Sequence, residues 1–275
     1  MKPVLYLLST LFALAACTNK ETNNTLTVTV SIPPLRYFTE KIAGEKYQVG
    51  TMLTPGGTPE SYEPTARQMI ILSQSSLYIE VGDLGFERTW GQRLRENAPD
   101  TKFINASAGI KPALTTNGIA DPHTWMSAQN ALKIAQNIYK ALVQTFPKDS
   151  LIFKKNAATL NQEIRQIDAH IRQTLKKKSS KAFLIYHPTL TYFARDYGLK
   201  QLPVEEEGRE PSAEQLRNVI QEAIKQDVKT LFVQLETANK NAEIVARETD
   251  TKIVKTNPLG YDWPQEIVRT AEQLQ

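Results

Sequence analysis

The sequence is poor in the residues that usually bind metals in compact local motifs. Among 275 residues it has one cysteine and three histidines. A single cysteine excludes an internal disulfide and a multi-thiolate zinc cluster. No H-E-x-x-H segment occurs, so the local signature of a zinc protease is missing. Basic density is also lacking. The formal charge is +4, and Lys176-Lys177-Lys178 ends a helical pattern, where cations complement the helix dipole, so nucleic acid is not an expected partner. No apolar run reaches the ~20 residues of a membrane span. Neither a sequence repeat nor a low-complexity tract follows the first polar stretch.

The one cysteine has a particular context. Lys2 precedes an apolar segment, Val4 to Ala16, which suits a signal-peptide core. It ends in Leu14-Ala15-Ala16-Cys17, which resembles a bacterial lipobox, where the cysteine takes the lipid and becomes the first residue. The segment after it, Thr18 to Thr25, is polar and aperiodic and reads as a tether. We therefore read 1–16 as signal peptide and 17–25 as a tether lipidated at Cys17. This puts the chain outside the cytoplasm on a bacterial membrane, on the periplasmic side in a Gram-negative cell.

Beyond the tether, strand and helix patterns alternate. Leu26–Val30, Tyr47–Leu53, Leu77–Val81 and Phe103–Ile104 read as strands. Between them Pro33–Ile42, Ala66–Ser75 and Phe86–Asn97 read as helices, with Pro64 suited to a first helical position. Ser127 can cap a helix over Ala128–Phe146. From Ser150 to Lys177 a helical pattern runs without Pro or Gly, with Leu151, Ala158, Ile164, Ile167 and Ile171 near one apolar stripe. The alternation then resumes: strands at Ala182–Tyr186, Gln201–Val204, Thr230–Gln234 and Lys252–Lys255, with helices at Leu190–Asp196, Ala213–Lys225, Lys240–Glu248 and Pro264–Leu274. The pattern predicts an α/β protein of two lobes, each a mainly parallel sheet flanked by helices, joined by one long rigid helix. The lobes span 26–147 and 180–275, with 148–179 as the linking helix.

In parallel sheets, ligands bind beyond the carboxyl ends of the strands. His187 stands at such an end, after Phe183-Leu184-Ile185-Tyr186. Glu60 lies in the loop Thr54–Pro64, which has proline or glycine at five of eleven positions. His123 sits in Asp121-Pro122-His123-Thr124-Trp125, stiffened by Pro122 ahead of a capped helix. Asn257 follows the last strand. Two imidazoles and a carboxylate make a credible shell for a divalent cation, and zinc would add a fourth donor such as water. Glu60, His123 and His187 are each more than 60 residues from the next, so spacing alone is a weak signal. His170, inside the long helical run near Asp168 and Arg172, reads as a surface residue.

These segments together resemble the metal-binding solute-binding lipoproteins of ABC importers, the zinc/manganese cluster A-I (cluster 9) family. Pro55–Thr65 looks like its first ligand loop. Asp121–Trp125 with Ser127 is similar to the second and is the most specific match. His187 with Tyr192–Leu199 looks like the third, while Glu207–Ser212 and Asn257–Gly260 match in character. Three departures stand out: Glu60 where the family usually has His, Asn257 where it usually has Asp, and no His-rich loop in Asn105–Ala120. The resemblance implies a metal site of Glu60, His123, His187 and Asn257, with Asp262 or Glu236 as substitutes for Asn257.

It further implies a monomeric, non-enzymatic protein that binds Zn2+, or alternatively Mn2+ or iron, and delivers it to an ABC permease and its ATPase. Two His and one carboxylate also describe metal-dependent hydrolases, and a metal-sequestering or adhesive surface lipoprotein is a third reading.

Overall fold

The computed structural model describes residues 27–115, 118–178, 180–205, 208–235 and 240–274. The signal segment, Cys17, the tether and Glu236 lie outside the described residues. Two four-stranded sheets carry the fold. The first holds β1 (Thr27–Val30), β2 (Gln48–Thr51), β3 (Leu77–Glu80) and β4 (Lys102–Asn105) in the order β2-β1-β3-β4. The second holds β5 (Ala182–Ile185), β6 (Lys200–Pro203), β7 (Thr230–Gln234) and β8 (Lys252–Thr256) in the order β6-β5-β7-β8. All these pairings are parallel. Both sheets thus share one strand order, although their sequences show no repeat.

Helices α1 (Pro33–Ala43), α2 (Ala66–Ser73), α3 (Gly85–Asn97) and α4 (Ala128–Thr145) belong to the first lobe. Helices α6 (Thr191–Tyr197), α7 (Ala213–Lys225), α8 (Lys240–Thr249) and α9 (Trp263–Gln273) belong to the second. The linking helix, α5 (Ser150–Lys176), has 27 residues, about 40 Å at 1.5 Å per residue.

The sequence chemistry accounts for these elements. Ala182-Phe183-Leu184-Ile185 is buried throughout, as a central parallel strand covered on both faces must be. Phe183 and Ile185 join the large core that runs between the lobes, while Ala182 and Leu184 join a smaller core with Ala223 of α7 and Val245 of α8. Helix α2 starts at Ala66 and not at Pro64. Thr65 accepts from the Gln68 amide, and the Gln68 side chain reaches back to the Thr65 amide. This capping box satisfies two free N–H groups, which a proline at the first position does not.

On α5 the buried stripe is Phe153, Ala157, Leu160, Ile164, Ile171 and Leu175. Leu151 from the expected stripe is 81% exposed. It lies in the first turn, where Phe153, tilted against Tyr47 with ring centres 5.5 Å apart, sets the inward face. Helix α5 packs on α1 and α4 of one lobe and on α9 of the other.

Helix α4 begins at Ser127, whose hydroxyl accepts from the Asn130 amide at 3.0 Å and donates to Asp196 on α6 of the other lobe. One side chain therefore caps a helix and ties the lobes together. Ser127→Ala should cost about 0.5–2 kcal/mol through the cap alone. The expected result is a lower denaturant midpoint at an unchanged m-value, measured by circular dichroism; an unshifted midpoint would refute this account of the cap.

Candidate metal centre

Glu60 is held by the first lobe. Its loop leaves β2 and closes two short turns, with Gly57 N–H on Thr54 O at 2.9 Å and Ser61 N–H on Thr58 O at 3.1 Å. Phe86 N–H then binds Pro59 O at 2.8 Å, and Tyr62 packs edge-on against Phe86. Gly85 permits this approach, because a Cβ there would lie 2.7 Å from the Glu60 backbone. The Glu60 side chain remains 42% exposed at the interlobe gap.

His123 is buried. The Asp121 carboxylate accepts from both the His123 amide and its Nδ1–H, each at 2.7 Å. Among the described residues no hydrogen bond engages the other imidazole nitrogen, Nε2. The segment carrying His123 precedes α4, yet it is fastened to the second lobe. The Trp125 indole donates to Pro258 O at 2.7 Å, the Trp263 indole donates to Trp125 O at 2.7 Å, and Tyr192 OH donates to Asp121 O at 2.8 Å. Arg195 adds a bond to Lys111 O at 3.0 Å.

His187 extends β5. Strands β5 and β6 pair with Ile185 beside Pro203, so two residues further on His187 and Glu205 stand side by side. Glu205 accepts from His187 Nδ1–H at 2.5 Å. His187 Nε2 lies 3.6 Å from Glu60 Oε1. The two imidazoles meet edge to face, with ring centres 5.4 Å apart.

Ligand atoms from Glu60, His123 and His187 lie within 4.8 Å of one another. Two cavities meet at this cluster. One, of about 580 Å³, has an apolar side formed by Leu114, Ile119 and Leu199. The other, of about 450 Å³, is bounded by Gly56, Gly57, Thr189 and Pro258. Burial works to raise the Glu60 carboxyl, but the hydrogen bond and charge of His187, with the charge of His123, hold it below its usual range. Asp121 is likewise lowered, because the charge and hydrogen bond of His123 outweigh burial. Burial also opposes charge on His187, and the carboxylates of Glu205 and Glu60 overcome it, lifting the imidazole to about 9.

Asn257 lines neither cavity at this cluster. Gly260 N–H closes a turn on Asn257 O at 2.9 Å, and the amide side chain lies over Gly260. It lines a separate cavity of about 510 Å³ with Arg36, Thr54 and Tyr261. What this turn offers the centre is Pro258 and Leu259. Asp262 caps α9 by accepting from the Gln265 amide at 3.2 Å and lines neither cavity at the cluster. His170 is on the surface, 3.7 Å from Glu272. The reading of single residues missed Glu205. Its signal was the lateral pairing of two strand ends, which appears only once the parallel register is known.

Two parallel α/β lobes share one helix, and donors from both turn toward one point, an arrangement able to hold a metal ion. The family model for the periplasmic component A of the zinc-uptake complex matches residues 28–273, and the chain belongs to that family. It is similar to the zinc-binding lipoprotein AdcA of Streptococcus pneumoniae, with 25% identity over 280 residues. That match takes in 94% of this chain but 56% of AdcA, so the chain spans little more than half the length of this relative. The iron-binding protein YfeA of Yersinia pestis is 29% identical over 86% of this chain and 78% of its own. Among solved structures, ZnuA superposes with a TM-score of 0.86 at 32% identity, covering 90% of this chain and 97% of that one.

The raised pKa of His187 has a definite sign. Its ordinary value is 6.5 and its folded value is about 9. Its contribution to the stability of the metal-free protein is then complete below pH 6.5 and is lost as pH rises through about 9. Denaturant midpoints of metal-free protein at pH 6 and pH 9.5 should differ in that direction, and His187→Gln should flatten the difference. A wild-type midpoint that rises over this range, or an equal fall in His187→Gln, counts against the assignment.

Proposed function

We propose that this chain captures a divalent transition-metal ion, foremost zinc, outside the cytoplasm and presents it to the permease of an ABC importer whose ATPase drives uptake. The carrying observation is the convergence of Glu60, His123 and His187 from two lobes to within 4.8 Å. Two imidazoles and one carboxylate suit zinc, with water as a fourth donor. Manganese favours more oxygen donors, and this cluster offers one oxygen-donating residue. Iron is the runner-up, supported by the likeness to YfeA. Membership in a zinc-uptake component family speaks for transport and against an enzyme. We further propose that a lipid on Cys17 anchors the protein as a monomer; among the described residues no helix is long and apolar enough to cross a membrane.

The residues suggest an order of events. His187 is charged below pH 9, so the ion displaces a proton from its Nε2 on binding. The incoming ion then lies among two neutral imidazoles and the Glu60 carboxylate. His123 and His187 are both fastened to the second lobe, whereas the contacts of the Glu60 loop are made with the first. Release proceeds by withdrawal of Glu60, which leaves an ion held by two imidazoles alone.

Zinc competition against a chromophoric chelator tests the set. His123→Ala and His187→Ala should each weaken binding by at least ~100-fold, about 2.7 kcal/mol. Glu60→Ala should act mainly by accelerating dissociation, read by stopped flow, and His170→Ala should stay within about twofold of wild type. Equal losses in all four variants, or none in the first two, would refute the site.

A further inference from the structure

Glu205 lines both cavities at the metal cluster, yet it is not one of the residues whose donor atoms converge there. Its side chain is mostly buried, at 13% exposure. Two backbone bonds fix its position: Val204 N–H on Ile185 O at 2.8 Å and Glu205 N–H on Tyr186 O at 3.0 Å. These continue the β5–β6 ladder beyond the strands and set the Glu205 carboxylate against His187 Nδ1 at 2.5 Å. On the other side of the cluster Asp121 does the same for His123 at 2.7 Å. The Asp121 contact is local, two residues away in the chain. The Glu205 contact depends wholly on the pairing of two strands.

We infer that Glu205 is a positioning residue for metal capture: it accepts the Nδ1–H of His187, so that Nε2 is the nitrogen presented to the ion. The inference rests on the metal-binding reading above and deepens it. A metal-bound imidazole gains basicity and a fixed ring plane when its second nitrogen donates to a carboxylate. Because the ladder that holds Glu205 also holds His187, this alignment belongs to the second lobe and exists before Glu60 closes. With Glu60, Asp121 and Glu205 ionised and both imidazoles neutral, a bound divalent ion sits in a cluster of net charge −1. Without Glu205 that net charge is zero, and His187 is free to turn.

The test uses the whole chain and three variants. Glu205→Ala should weaken zinc binding by about 10–100-fold and shift the d–d absorption of the Co2+-loaded protein. Glu205→Gln, whose amide oxygen still accepts from Nδ1–H, should recover most of the affinity and a cobalt spectrum close to wild type. Nitrogen NMR of the zinc-loaded wild type should find the proton on Nδ1 of His187. Glu205→Asp, which keeps the charge but shortens the reach, should fall between wild type and Ala, and it carries the test if the alanine variant does not fold. Wild-type affinity and an unchanged cobalt spectrum in Glu205→Ala or Glu205→Asp would overturn the inference while leaving the metal-binding reading intact. A wild-type chain that binds neither Zn2+ nor Mn2+ would remove both.

Discussion

The meeting of His123 with His187 depends on a pair of indole hydrogen bonds. Trp263 donates to the Trp125 carbonyl, and Trp125 donates to the Pro258 carbonyl. Both indoles are fully buried, so each N–H needs a partner, and each finds it across the lobe boundary. The segment 121–127 is thereby made part of the second lobe in space while remaining part of the first in sequence. His123 reaches His187 because of this crossing. The hydroxyls of Tyr192 and Ser127 reinforce the same junction.

The electrostatics follow from that arrangement. Two imidazoles face each other inside the protein, and each has a carboxylate on its outer nitrogen. Burial alone would strip the charge from such a site. The surrounding carboxylates reverse this for His187 and keep the pocket attractive to cations. Glu60 differs from Asp121 and Glu205 in kind: it is more exposed, comes from the other lobe, and meets His187 at 3.6 Å without any backbone ladder behind it. Its place in a loop of short turns resting on Gly85 makes it the donor least constrained by the fold.

Much of the fold was legible in the sequence. Short apolar runs bounded by Pro, Gly and Ser mark the strands, and β7 and α7 occupy the residues that the pattern predicts. The lack of helix breakers between Ser150 and Lys177 revealed α5. Periodicity did not resolve which α5 face turns inward, because Leu151 satisfies the spacing but sits in a first turn whose orientation Phe153 fixes. At the centre, Glu60, His123 and His187 were legible as residues at a strand exit or in a rigid loop. The placing of Asn257 was not, since it depends on the turn that Gly260 N–H closes on the Asn257 carbonyl. Glu205 had no local mark at all, its partner being supplied by strand register.

The large apolar core does not stop at the lobe boundary. Residues from β1, α1, α4, the length of α5, β5, β7 and α9 form a single buried cluster. Loosening either of two lobes joined in this way exposes apolar surface that the other helps to cover. A chain so joined offers a protease few local openings at its waist.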